Sequence, residues 1–486
     1  MKRFLVALSL VMAMCFSILP GAAFAAPAYQ TPFSVSITYQ NVGTGTATIN
    51  VSFFAENSGT AQTFSAGTLA AGASTSLSVG QAVQGGSFKG SAVLSSDQPV
   101  IATIVQVDAS GAVKNRPLSN GFSASDGNAK QLVASVLKNA FNSTTVFSVQ
   151  NTESAPVNVT VKYFAVGASS PSATATANNL PAGAAKYFDA GAIGDLPNGF
   201  SGSAVATAVL ASDNTTPAKI VVTANELSTV DGASKSFEGT ALSGPKVYMP
   251  SALCNAFGGQ TTAYAVQNAG NSSVTFNVRY KLSGAADVID GPYTIGAGGK
   301  QSIGGCTKLS AGGNGSAIIE STTPDGQLVA VGKVTGANIT SAFLGVVENN
   351  GSAKVALPYV RYASNAEINK QQRTSIAIQN IGSADATNVK VQFIDKDGNV
   401  KGTHTIGTIA AGGKASSNPT QGNALDACGR FGMYGANGST TDCNSVLFGG
   451  GAIVTADSGA QLAVVVRIFT GSPIAAGEDY NGINVQ

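Results

Sequence analysis

The chain has one histidine, His404, so any acid–base chemistry built on imidazole must centre there. A Ser or Cys nucleophile needs such a base beside it and an acid to orient the base. His404 sits in an alternating segment, Gly402 to Ile406, and neither a G-x-S-x-G turn nor a catalytic-Cys context accompanies it. It reads as a surface residue of a strand. No phosphate loop or dinucleotide fingerprint appears, because the glycines are spread over turns rather than gathered ahead of a helix. Asp395, Asp397 and Asn399 around Gly398 imitate the start of a calcium loop, but Ile406 stands where the bidentate acid would be needed. Asp-Gly is a strong turn pair, so this segment reads as a hairpin turn. The other acids lie mostly in turns, where solvation accounts for them. We expect no catalytic residue, no cofactor and no metal, and hence no enzyme.

Cysteine is the other reactive type. Cys254, Cys306, Cys428 and Cys443 remain once an expected leader is removed. That leader has Lys2 and Arg3 at its start, an apolar run from Phe4 to Leu19, and Ala23-Phe24-Ala25 as a small-residue cleavage site. Its apolar run is shorter than the ~20 residues of a spanning helix, so it reads as removed, leaving no membrane span. Cys15 raises lipidation, but Met14 before it is not a small residue. An even cysteine count in an exported chain suggests two disulfides. Three pairings exist; Cys254–Cys306 and Cys428–Cys443 are preferred, because each pair lies in one region. Zinc spacing is absent.

Charged residues are only 11% of the chain. Without Lys2 and Arg3, the 27 basic residues become 25, equal to the 25 acidic ones. Zero net charge argues against nucleic acid as a partner and gives no general reason to bind acidic lipid. It also removes the repulsion that keeps copies apart, so self-association is permitted.

Positioning elements follow from internal repeats. A Gln-Asn pair recurs as Gln40-Asn41, Gln150-Asn151, Gln267-Asn268 and Gln379-Asn380, at steps of 110, 117 and 112 residues. Each pair precedes an alternating strand, as in Ile49, Val51, Phe53 or Val157, Val159, Val161, Tyr163. An apolar-x-Ala-Gly turn then ends at Gly72, Gly183, Gly298 and Gly412, which are 32, 33, 31 and 33 residues beyond the glutamines. Gly-Ser-Ala opens a further strand at Gly90, Gly202 and Gly315. The fourth copy has Gly450-Gly451-Ala452 instead, after an insertion of about 20 residues that holds Cys428 and Cys443. Period-two strands at this spacing, with Gly-rich turns, predict an all-β chain of four tandem immunoglobulin-like β-sandwich domains. The expected boundaries after the leader are 26–128, 129–245, 246–352 and 353–486.

Met249-Pro250-Ser251-Ala252-Leu253 followed by Ala263 to Asn268 resembles a repeat of secreted bacterial surface proteins. That repeat has a Leu-Pro strand, a Val-Gln-Asn strand and a closing aromatic-x-Gly. Leu357-Pro358-Tyr359-Val360 and Tyr480-Asn481-Gly482 look like the same landmarks. The resemblance implies a secreted, extracellular or cell-surface location and this architecture, but no defined ligand. The expected function is a structural or adhesive protein of the cell exterior, a rod in a surface layer, fibre or appendage. Its partners would be other copies or other cell-surface components. The alternative is glycan or polymer binding by sandwich loops, with Tyr standing in for the missing Trp.

Copies two to four each have an opening segment, such as Lys246 to Leu253, about 20 residues ahead of the Gln-Asn pair. The first copy has too few residues between Ala26 and Gln40 for one. One unit should therefore be incomplete and expose a sheet edge, which recruits strands from other chains. The first expectation is that the terminal unit is a smaller, capped sandwich, as terminal repeats often are; the alternative is head-to-tail strand addition, with Ala26 to Thr31 or Gly482 to Gln486 as donor.

Overall fold

A computed structural model describes residues 33–485 except 85–86, 109–112, 114, 229–231, 283, 337–338, 364–371, 426–446 and 471–475. The expected leader, the segment Ala26 to Thr31, Cys428 and Cys443 lie outside the described residues.

The chain is all-β, and among the described residues helix is limited to single turns such as Val79–Ala82. Period two does what it predicts. In Ala47–Ala55, Ile49, Val51 and Phe53 are buried while the residues between them are not, so one face builds a core and the other meets water. Copies two and three each form two antiparallel four-stranded arrangements in one fixed order. The first sheet runs hairpin strand, alternating strand, Gly-Ser-Ala strand, opening strand. In copy two these are Ala173–Leu180, Val157–Ala165, Phe200–Leu210 and Lys130–Lys138. In copy three they are Val288–Ile295, Val274–Leu282, Asn314–Ser321 and Lys246–Leu253, with the two-residue Val346–Val347 added at the edge. The second sheet runs short strand, Gln-Asn strand, central strand, closing strand. In copy two these are Ala185–Asp189, Ser143–Asn151, Ile220–Ser228 and Ser234–Glu238; in copy three, Lys300–Ile303, Thr261–Asn268, Leu328–Gly336 and Ile339–Leu344. Copy four keeps this order, but its opening strand Lys354–Ala363 also pairs with its Gln-Asn strand Gln372–Asn380, through Tyr362 and Arg373. The two layers thereby join into one nine-stranded sheet.

Each opening strand pairs with the Gly-Ser-Ala strand of its own copy, and each carries a bulge at the same place. Pro250 and Pro358 occupy that bulge, where the missing N–H does no harm to the ladder. Copy one departs from the plan. Its second sheet is complete, with Ser74–Ser78, Phe33–Asn41, Val100–Asp108 and Leu118–Asn120. Among the described residues its first sheet has Ala61–Leu69, Ala47–Ala55 and Gly90–Ser96. Of the two outcomes the sequence left open, an opening strand completes its own unit, and copy one has none among the described residues.

A tandem array suggests a rod. The copies instead close into a cycle. The closing strands of consecutive copies pack side by side, and that of the fourth packs against that of the first. Asn120 donates from Nδ2 to the Asn481 carbonyl at 2.6 Å, and from its backbone N to Glu238 Oε1 at 2.5 Å. Asn481 in turn exchanges two hydrogen bonds with the Leu344 backbone, at 2.7 and 2.8 Å. Arg116 with Glu478 (2.6 Å) and Lys333 with Glu226 (2.5 Å) are ion pairs between copies.

Candidate strand-binding cleft

The repeat landmarks turn out to be joints. In every copy the asparagine of the Gln-Asn pair plugs its own turn. Asn151 Nδ2 donates to the carbonyls of Ala155 (2.8 Å) and Leu180 (3.0 Å), while its Oδ1 accepts from Glu153 N at 2.8 Å. Asn41, Asn268 and Asn380 repeat the same three bonds. The glutamine donates from Nε2 to the carbonyl of its own Ala-Gly turn, at Gly72, Gly183, Gly298 or Gly412, and in three copies also across the seam, Gln150 to Ala92 O at 3.5 Å among them. Gln267 Nε2 donates to Ala204 O of the preceding copy at 3.1 Å, and Gln379 Nε2 to Ala317 O at 3.4 Å. From the other side, the serine of Gly-Ser-Ala donates into the next copy's Ala-Gly turn: Ser91 to Gly183 O (2.7 Å), Ser203 to Gly298 O (2.8 Å), Ser316 to Gly412 O (3.3 Å). Those turn glycines have φ of +77° (Gly72), +74° (Gly183), +73° (Gly298) and +72° (Gly412), the left-handed conformation that favours glycine. At the closing seam Gly451 stands where the serine would be, directly against Gln40 Oε1.

Three seams share one more feature. The opening strand of each copy lies against the Gln-Asn and central strands of the next. Lys130–Lys138 packs on Thr261–Asn268 and Leu328–Gly336; Lys246–Leu253 on Gln372–Asn380 and Leu462–Thr470; Lys354–Ala363 on Phe33–Asn41 and Val100–Asp108. Copy one has no described opening strand to lay on copy two. A cavity of about 2110 Å³ opens there and runs on to residues 344–347 of copy three and 481–485 of copy four. One wall is the edge Gly90–Leu94 with Phe88, Ile101 and Ala102 beneath it; the other is Ser148, Gln150, Val221 and Thr223 of copy two.

Exposure marks the vacancy residue by residue. Gln40, Gln267 and Gln379 are fully buried at 0%, whereas Gln150, on the cleft wall, is half-buried. Ala204, Ala317 and Ala452 are likewise at 0%, whereas Ala92 is half-buried and Val93 beside it is 43% exposed. Tyr187 at the cleft end donates from its hydroxyl to Gly90 O at 2.7 Å, and burial pushes that hydroxyl up to about 12.

The residues singled out from sequence fall elsewhere. Cys254 and Cys306 form the expected disulfide in copy three. His404 is on the strand Val400–Ile409, half-buried, with Nδ1 2.9 Å from Ser417 Oγ. This hydroxyl–imidazole pair was not legible from spacing, and among the described residues no carboxylate is hydrogen-bonded to the ring. Asp395 Oδ1 accepts from the backbone N of Asp397 (3.0 Å) and Asn399 (2.9 Å), the bonding of a turn. That turn seals the last seam, since Lys396 O accepts from Ser74 N at 3.1 Å. Among the described residues no group of three metal-ligating side chains exists, and no helix is long and apolar enough to cross a membrane. Tyr163 and Tyr280 are fully buried core residues rather than platforms. Comparison with known proteins finds no matching family model, no matching curated protein and no matching solved structure.

Proposed function

We propose that this chain is a secreted structural or adhesive protein of the cell exterior, and that it joins other copies or other surface components by accepting a β-strand into the cleft between its first two copies. The observation that supports this reading is that the first sheet of copy one has three strands among the described residues: its edge strand faces the same wall that an opening strand covers at the other three seams. An unpaired edge with an exposed row of backbone donors and acceptors is the usual substrate of β-augmentation. The edge carries none of the common defences, since Gly90–Ser96 contains neither a charge nor a proline.

The test is retention at the cell envelope. A slot-filled variant carries Lys130 to Asn142, a strand and its turn, fused directly ahead of Phe33. Native mature protein should remain with the envelope fraction, and the slot-filled variant should pass into the medium. Equal distribution of the two would overturn the proposal.

A further inference from the structure

The three occupied slots specify what the vacant one takes. Each opening strand begins with lysine (Lys130, Lys246, Lys354) and continues through residues buried on both faces. The register is the same each time. The lysine lies opposite Thr207, Glu320 or Thr455. The third residue (Leu132, Tyr248, Ala356) lies opposite Val205, Ile318 or Ile453, and the fourth (Val133, Met249, Leu357) opposite Ala204, Ala317 or Ala452. A two-residue bulge follows: Ala134-Ser135, Pro250-Ser251 or Pro358-Tyr359. The chain then rejoins the ladder with Val136, Ala252 or Val360 opposite the glycine of the Gly-Ser-Ala strand.

Resting on the strand-accepting role above, we propose that the cleft binds an extended segment of a partner polypeptide carrying this pattern: lysine, three mainly apolar residues, a bulge with Ala or Pro first, then a small or branched apolar residue. It would run antiparallel to Gly90–Ser96, its lysine opposite Ser95, its third residue opposite Val93, its fourth opposite Ala92, and the residue after the bulge opposite Gly90. One corner contact shows what the lysine can do. Lys130 Nζ donates to Ala269 O of the next copy at 2.8 Å. The counterpart of Ala269 is Thr152, whose carbonyl offers the same acceptor; beside it Glu153 Oε1 accepts from Lys219 N at 2.9 Å.

The donor is another protein rather than a second copy of this chain. All three opening strands here are already paired within their own copies. By the 110-residue step, the counterpart of Lys130–Lys138 is 20–28, and the cleavage expected after Ala25 removes residues 20–25. Ala26 to Pro32 contains no lysine.

The experiment uses mature protein and a synthetic peptide, Lys354 to Ala363 of this sequence. The peptide should bind saturably to native protein and not to the slot-filled variant. Register is read by cross-linking, because directly opposed residues on antiparallel strands lie close enough for a disulfide. Protein with Val93→Cys should couple to a peptide carrying Cys in place of Ala356, its third residue, at least tenfold faster than to one carrying Cys in place of Val355. Val93 is exposed, so this variant should fold. Absence of saturable binding, coupling indifferent to position, or equal competition by a peptide of residues 26–32 would each overturn the inference. Envelope retention that is lost on slot filling, with no binding of the lysine-led peptide, would overturn this chemistry while leaving the strand-accepting role intact.

Discussion

At the scale of residues, the repeated Gln-Asn pair divides its labour. The asparagine satisfies two carbonyls and one N–H that its turn would otherwise bury unpaired. Replacing Asn268 by alanine strands all three, so we expect a loss of about 2–4 kcal/mol in stability. The check is a denaturant midpoint shift at unchanged slope. A second residue-scale outcome concerns Glu478, fully buried where the copies meet. Burial pushes its carboxyl up to about 7, further than Arg116 at 2.6 Å pulls it down. It therefore holds its proton more tightly in the folded than in the unfolded chain. Folding is unpenalised below the ordinary value of 4.5, loses stability as pH rises from there, and bears the full penalty above about 7. Stability should accordingly rise as pH falls from 7 toward 4.5, by up to roughly 3 kcal/mol from this group. In Glu478→Gln that component should vanish from melting curves taken across the range. The sequence displayed these positions but not their roles. Spacing reveals that Gln267 recurs, whereas its partner, Ala204 O, belongs to another copy, and no local period reports a contact 63 residues away.

At the scale of elements, strands with one wet face were legible, because alternation of apolar and polar residues is a direct trace of a half-buried sheet. Opening strands were legible as segments about 20 residues ahead of each Gln-Asn pair, but not by alternation, since both of their faces are covered. The vacancy in copy one was foreseen as a count, one opening segment too few, but its location inside the cycle rather than at the end of a rod needed the packing of the copies. Filling it in cis is a direct element-scale test. The slot-filled variant should gain a fourth strand in its first sheet and melt several degrees higher than native mature protein; an unchanged or lower Tm would mean that the first sheet is complete as it stands. The disulfide closes a 52-residue separation within copy three. Chain entropy assigns such a loop about 4 kcal/mol, so Cys306→Ser should lower stability by that order, with copy three opening first in hydrogen exchange.

At the scale of the whole molecule, four sandwich-like copies share seams built from one repeated set of side chains, and three of the four seams also hold an opening strand. Among the described residues the edge Gly90–Ser96 beside copy two is the one left partly exposed. The strand-accepting role requires Gly90–Ser96 to be an unpaired edge. Hydrogen exchange on mature protein without a partner measures this directly, by comparing that strand with its counterparts in Phe200–Leu210, Asn314–Ser321 and Leu447–Thr455. We predict exchange in Gly90–Ser96 at least a hundredfold faster than in the other three. Equal protection in all four strands would contradict the account.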